Sequence, residues 1–185
     1  VGPWNEILQL ADQIETDYYE YTGNDQLSIS AGIVITGDSY PISRAAEDAK
    51  DAVEKSKKAG RDSITLLGHT LKWDEWAEVK KKWVELRDKV ATEKISSAFL
   101  YSLLEYGRMW QEYRKTGNTL GLRFQPLLAY NVGRNLSERQ SPVFHKWAKE
   151  IISLKLPDMQ RKQMILDNLA LLAQLLILGN GGNDE

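Results

Sequence analysis

The chain contains no cysteine. That absence excludes disulfides, thiolate zinc sites and cysteine nucleophiles, and it fits a reducing compartment such as the cytoplasm. Histidine is nearly as scarce. His69 and His145 are the only two, far apart in sequence, so this chain alone cannot build a His-rich metal site. No Gly-x-Ser-x-Gly element occurs and neither histidine sits in a triad-like context, so nucleophilic catalysis has no support. Strong charge of one sign is missing too. The 24 Lys and Arg against 26 Asp and Glu leave −2, which argues against holding nucleic acid by bulk positive charge while leaving local basic patches open. The longest apolar stretch, Leu169 to Leu178, is interrupted by Gln174 and too short to span a bilayer, so the expectation is a soluble protein with no membrane partner. No secretory leader or initiator Met precedes Val1-Gly2-Pro3-Trp4, and the chain reads as beginning at a cut within a longer protein.

What is present is ordinary for a globular chain: 185 residues, 42% hydrophobic and 27% charged, enough for one domain or two small ones with real cores. Val1 reads as the end of a strand. Gly2 and Pro3 then open a helix in which Ile7, Leu10, Ala11, Ile14 and Tyr18 recur at helical spacing to about Tyr21. After a Gly23-Asn24-Asp25 turn, Leu27 to Ile35 alternates as a strand with one buried face. A second helix, opened by Pro41-Ile42 and ended by Gly60, carries a small-residue stripe of Ala45, Ala46, Ala49, Ala52, Val53 and Ser56, suited to lying close on a sheet. Ser63 to Leu67 reads as a strand and Thr70 to Trp73 as a short third. From Asp74, taken as an N-cap, only helices follow. They cover Trp76 to Val90, Ile95 to Arg114, Gln125 to Asn135, Pro142 to Leu154 and Asp158 to Leu178, with joints at Gly117-Asn118, Ser137 and Pro157 and a frayed tail from Gly179. The expectation is α+β: a partial ferredoxin-like palm over residues 1–75, then an all-helical bundle over 76–185.

Three runs in the first part carry a resemblance: Ser28-Ile29-Ser30-Ala31-Gly32-Ile33, then Ala45-Ala46-Glu47, then Lys57-Lys58-Ala59-Gly60-Arg61-Asp62-Ser63-Ile64. They resemble the stretch after the active-site hairpin of diguanylate-cyclase-like palms. They are still more similar to the second palm domain of the large subunit of type III CRISPR interference complexes. Leu71-Lys72-Trp73 resembles that family's Trp-containing helix start, and Leu127 to Asn135 its recurring Leu-Tyr-Arg-Asn helix. The family's Gly-Gly-Asp-Asp hairpin lies upstream of the matching stretch, so the two-metal carboxylates are missing here and no activity is expected from this chain alone. The resemblance implies that the complete parent uses ATP and a divalent metal to make cyclic oligoadenylates. It also implies as partners the upstream part of the same subunit, small helical and other subunits of the complex, and guide and target RNA nearby.

Lys57 and Arg61 match the cations that grip the nucleotide triphosphate in such palms. Arg offers bidentate phosphate binding, although basic residues at a helix end also complement its dipole. Ser28 and Ser30 share one strand face and are nucleotide candidates on the same resemblance, or simply small packed residues. Arg108, Arg123, Arg134 and Arg139 are candidate RNA or partner contacts, with Tyr130, Arg134 and Asn135 expected in an interhelical hydrogen-bond network. Lys80-Lys81-Lys82 reads as a solvated face beside buried Trp76, Val79 and Trp83. The functional expectation is the C-terminal part of a type III CRISPR large subunit, acting in assembly and RNA-guided antiviral defence and forming the back of an ATP-cyclase nucleotide pocket. The alternative is a free-standing helical adaptor with a degenerate cyclase remnant.

Overall fold

The computed structural model describes residues 1–24, 26–153 and 159–181. It is α+β, with a small three-stranded sheet and many helices, and it divides into two compact units, Val1–Trp76 and Ala77–Glu185.

The first unit runs α1 (Trp4–Thr22), β1 (Ser30–Ile33), α2 (Ile42–Lys58), β2 (Ser63–Leu66) and β3 (His69–Lys72), and contains the start of α3 (Trp73–Thr92). The sheet order is β1-β2-β3, with β1 parallel to β2 and β2 antiparallel to β3. The parallel pair is joined by α2, the crossover that parallel strands require. Gly32 sets how close that helix lies. A Cβ there would come 2.5 Å from the Val53 backbone nitrogen and 2.7 Å from the Ala52 Cβ, so the expected Ala stripe seats α2 on the sheet. Ala52 and Ser56 are its buried residues, while Ala46 is exposed.

Strand alternation then sorts the sheet into two faces. Gly32, Ser63, Thr65 and Thr70 face α2, and Ile64, Leu66 and Leu71, all buried, face the other way. Leu8 of α1 is fully buried, and the Trp76 indole donates to the Asp12 carboxylate at 2.7 Å.

Several boundaries differ from expectation. Val1 belongs to no strand, and β1 spans four residues rather than the nine of the alternating run, because Leu27 and Ser28 are exposed and Val34 and Ile35 have no strand partner. The α1 stripe is only partly used, with Leu10 at 49% and Ile14 at 47% exposure. The third strand begins earlier, at His69. Helix α3 starts at Trp73 rather than after an Asp74 cap. The Glu75 carboxylate instead accepts the Lys72 N–H at 3.0 Å, half of a capping box.

The second unit holds the rest of α3, then α4 (Ser97–Thr116), a 3-10 turn (Thr119–Arg123), α5 (Phe124–Asn135), α6 (Pro142–Ile152), α7 (Met159–Asp167) and α8 (Leu169–Gly181). Helix α8 is apolar all round, and Leu169 to Ala173 are five consecutive buried residues, the mark of a central helix. Gly107 of α4 lies directly against the Ala170 backbone, so α4 and α8 cross with no side chain between them. Phe99, Leu100, Leu103 and Leu104 of α4 are buried as well.

The single helix expected over 158–178 is two. The Met164 carbonyl accepts both the Asn168 backbone N–H at 3.2 Å and its side-chain amide at 2.9 Å, and the chain turns there. Helix α8 also continues past Gly179. Asp25, the Leu154 to Asp158 joint and the tail beyond Gly181 lie outside the described residues.

Candidate functional site

The end of α2 is the basic corner of the first unit, with Lys55, Lys57 and Lys58 in its last turn. The helix gives way to a left-handed turn. Gly60, Arg61 and Asp62 all have positive φ, and the Arg61 N–H donates back to the Ser56 and Lys57 carbonyls at 3.2 and 3.3 Å. Arg61 is therefore off the helix, and the i, i+4 face expected of Lys57 and Arg61 is replaced by a reverse turn that brings both to the same corner.

Lys72, which sequence reasoning passed over, holds that turn. Its ammonium donates to the Arg61 carbonyl at 2.6 Å and the Gly60 carbonyl at 3.3 Å, leaving the Arg61 side chain exposed. Lys57 is half-exposed and ion-paired with Glu54 at 2.8 Å. That ammonium, by hydrogen bond and charge, holds the Glu54 carboxyl below the usual carboxylate range.

Ser30 sits at the same end of the sheet. It pairs in register with Ser63, two residues after Arg61, whereas Ser28 precedes the strand and is exposed. Among the described residues no hydrogen bond joins Ser28 or Ser30 to Lys57 or Arg61. This corner lies at the amino ends of β1 and β2, not at the carboxyl ends where open α/β sheets usually bind ligands. Phosphate binding here would rest on the cations, since the helix end presents carbonyls.

Behind the corner runs a buried hydroxyl chain that the strand pattern alone did not reveal. Ser56 Oγ donates its single proton to the Ala31 carbonyl at 2.7 Å, so its 2.7 Å contact with Thr65 requires Thr65 to donate. Thr65 must then accept from Thr70 at 2.8 Å. Ser63 Oγ donates to the Ser56 carbonyl at 2.9 Å. The signal was legible as Ser63-x-Thr65, two hydroxyls at strand period, but Ser63 to Leu67 reads first as a plain buried strand.

In the second unit the four arginines are dispersed. Arg108 pairs with Glu105 at 2.6 Å on the exposed face of α4, Arg123 is exposed at the start of α5, and Arg139 is exposed in the turn before α6. The expected Tyr130, Arg134 and Asn135 network runs mostly along one helix instead. Arg134 donates to the Tyr130 hydroxyl at 3.3 Å and Asn135 to Asn131, because residues four apart share a helix face. Asn131 crosses to α4, donating to the Tyr106 hydroxyl at 3.1 Å, and that hydroxyl donates to the Leu127 carbonyl at 3.3 Å. Of the three lysines after Val79, Lys82 pairs with Glu85 at 2.6 Å. Lys80 is half-buried rather than solvated, and that burial lowers its pKa.

A further polar junction escaped the sequence. Glu93 is buried, and its carboxylate accepts the Val143 and Phe144 N–H groups at 3.0 and 3.1 Å, capping α6 from outside that helix. No group of three or more His, Asp or Glu able to hold a metal occurs among the described residues, and no helix there is long and apolar enough to cross a membrane.

Residues 1–65, which carry β1, the crossover helix and the basic corner, match the family model described as Cas10/Cmr2, second palm domain. The chain's likeness is to the large subunit of type III CRISPR systems, and to a part of it. It is 30% identical over 111 residues to a "CRISPR system single-strand-specific deoxyribonuclease Cas10/Csm1 (subtype III-A)" of Mycobacterium tuberculosis, covering 57% of this chain and 14% of the relative. It is 26% identical over 153 residues to the protein of that name from Thermococcus onnurineus, covering 73% and 18%, so the likeness extends into the helical unit. Against the one from Streptococcus thermophilus it is 32% identical over 76 residues, covering 40% and 10%. No solved structure matches the chain.

Proposed function

We propose that the chain works as part of a type III CRISPR effector large subunit, contributing to complex assembly and RNA-guided antiviral defence. The palm unit forms the back of a nucleotide pocket. Lys57 and Arg61 neutralise the phosphates of ATP there, with Ser30 and, at the rim, Ser28 beside them. The divalent metal that the resemblance implies is held by the upstream part of the same subunit. The helical unit docks small helical subunits, with Arg108, Arg123, Arg134 and Arg139 as candidate partner or RNA contacts.

The observation that carries this reading is the second-palm match over residues 1–65, which includes both Lys57 and Arg61. The test has two arms. The tagged chain, recovered from cells that express a type III complex, is expected with small helical subunits and guide RNA, and a nucleic-acid-free monomer would overturn the assembly role. In the complete large subunit, Arg61→Ala is expected to weaken ATP binding, and unchanged affinity would remove Arg61 from the site.

A further inference from the structure

Helix α5 is packed on one side only. Phe124, Leu128, Val132 and Leu136, four residues apart, are buried. The outward face carries Arg123, Leu127, Tyr130 and Arg134 at spacings of four, three and four. Leu127 is 41% exposed and Tyr130 66%, with Pro126, Ala129 and Gly133 exposed around them.

Gly133 needs explaining, because glycine is the poorest helix former after proline. No positive φ calls for it, and a Cβ at 133 would meet nothing within 4 Å. Gly107 and Gly121 are different. A Cβ at Gly107 would strike the Ala170 backbone, and one at Gly121 would lie 2.7 Å from the Tyr113 Cβ. Where this chain places those two glycines, another element lies against the backbone. At Gly133 the same gap faces outward.

The charges on this face also lack counterparts. Arg134 donates to the Tyr130 hydroxyl, and among the described residues neither Arg123 nor Arg134 pairs with a carboxylate, unlike Arg108 or Arg114, whose acids are Glu105 and Asp167. Eleven residues apart on a helix, the two arginines stand about 16 Å apart along its axis. Nucleic acid would ask for a row of cations and several stacking rings. Here one ring and two cations frame small and aliphatic residues, which is the composition of a helix-packing surface with an aromatic anchor.

We propose that the outward face of α5 docks an acidic helix of a partner protein, which crosses at Gly133 and sets carboxylates against Arg123 and Arg134. This rests on the reading that the helical unit docks helical subunits. The full chain is mixed with each separately purified subunit of its type III complex, and binding is compared for the parent, Gly133→Leu and Arg134→Glu. Thermal melts confirm folding, which Gly133→Leu should preserve because the space is open. Both variants are expected to bind the helical subunit at least tenfold more weakly, and an acidic-to-Arg change on the partner should restore binding to Arg134→Glu. Unaltered affinity in both variants overturns the α5 assignment while subunit docking stands. Failure of the parent to bind any subunit overturns the proposed assembly role, and this inference with it. Loss of binding to a 20-nucleotide single-stranded RNA in Arg134→Glu, with subunit affinity intact, would make the face a nucleic-acid contact and overturn the proposal.

Discussion

Removing the Glu93 carboxylate should destabilise the helical unit more than any surface substitution. Glu93 is only 8% exposed, its two oxygens take the N–H groups of Val143 and Phe144, and its own carbonyl accepts the Ser141 hydroxyl at 3.2 Å. Hydrogen bonds to a charged group contribute roughly 1.5–3 kcal/mol each. An acid at a partly buried helix N-terminus gains up to about 2 kcal/mol from the dipole, a gain that overlaps with those bonds. Glu93→Ala leaves two donors at the start of α6 without their acceptor, and water entering the gap recovers part of the loss. A net cost of about 3 kcal/mol follows. With a urea dependence near 2 kcal/mol per molar, the midpoint should fall by about 1.5 M. Urea unfolding followed by far-ultraviolet circular dichroism measures this, with tryptophan fluorescence as a second probe because buried Trp147 packs edge-on against Phe144. Glu93→Gln keeps one acceptor and should recover about half of the loss. An alanine variant within about 0.5 kcal/mol of the parent would refute the capping role, since that is the scatter of neutral surface changes.

Two further substitutions test the first unit. Gly32→Ala puts a methyl where the Val53 nitrogen, the Ala52 Cβ and the Ala49 carbonyl all lie within 2.8 Å, two of them helix backbone. Overpacking of this kind costs about 3 kcal/mol, so the melting temperature of the first unit should drop by at least 10 °C; a drop under 2 °C would mean that α2 is free to lift off the sheet. Ser56→Ala leaves the Ala31 carbonyl without its donor and Thr65 without its acceptor, at a cost of about 2 kcal/mol by chemical denaturation. Ser56→Cys, which keeps a weak donor and acceptor, should lose less, and equal losses in the two variants would deny that the cost arises from these hydrogen bonds.

Much of the architecture was legible as periodicity. The α2 stripe, the strand from Ser63 and the helices after residue 73 follow from spacing, because burial of one face selects apolar residues at the period of the element. Spacing failed where a single side chain redirects the backbone. Asn168 breaks the last helix by placing its amide on a carbonyl of the preceding turn, and the helical spacing read from Asp158 to Leu178 does not announce it. Lys57 and Arg61 looked like helix neighbours because i and i+4 assume the helix continues, and positive φ from Gly60 to Asp62 ends it first. The resemblance to type III large subunits was readable from short runs such as Ser30-Ala31-Gly32, where glycine is required by the close seat of α2.

By itself, the sequence determined the element types, the change from mixed to helical structure near residue 75, the family likeness and the lack of any cysteine. Only the tertiary structure decided which groups meet: Lys72 on the Arg61 turn, the hydroxyls between α2 and the sheet, Glu93 on α6, and α5 with one face left open. The physical reason is the range of the forces. Propensity and apolar periodicity act within one or two turns and are written locally, whereas a hydrogen bond across 50 residues, such as Glu93 to Val143, exists only once packing has brought the two ends together.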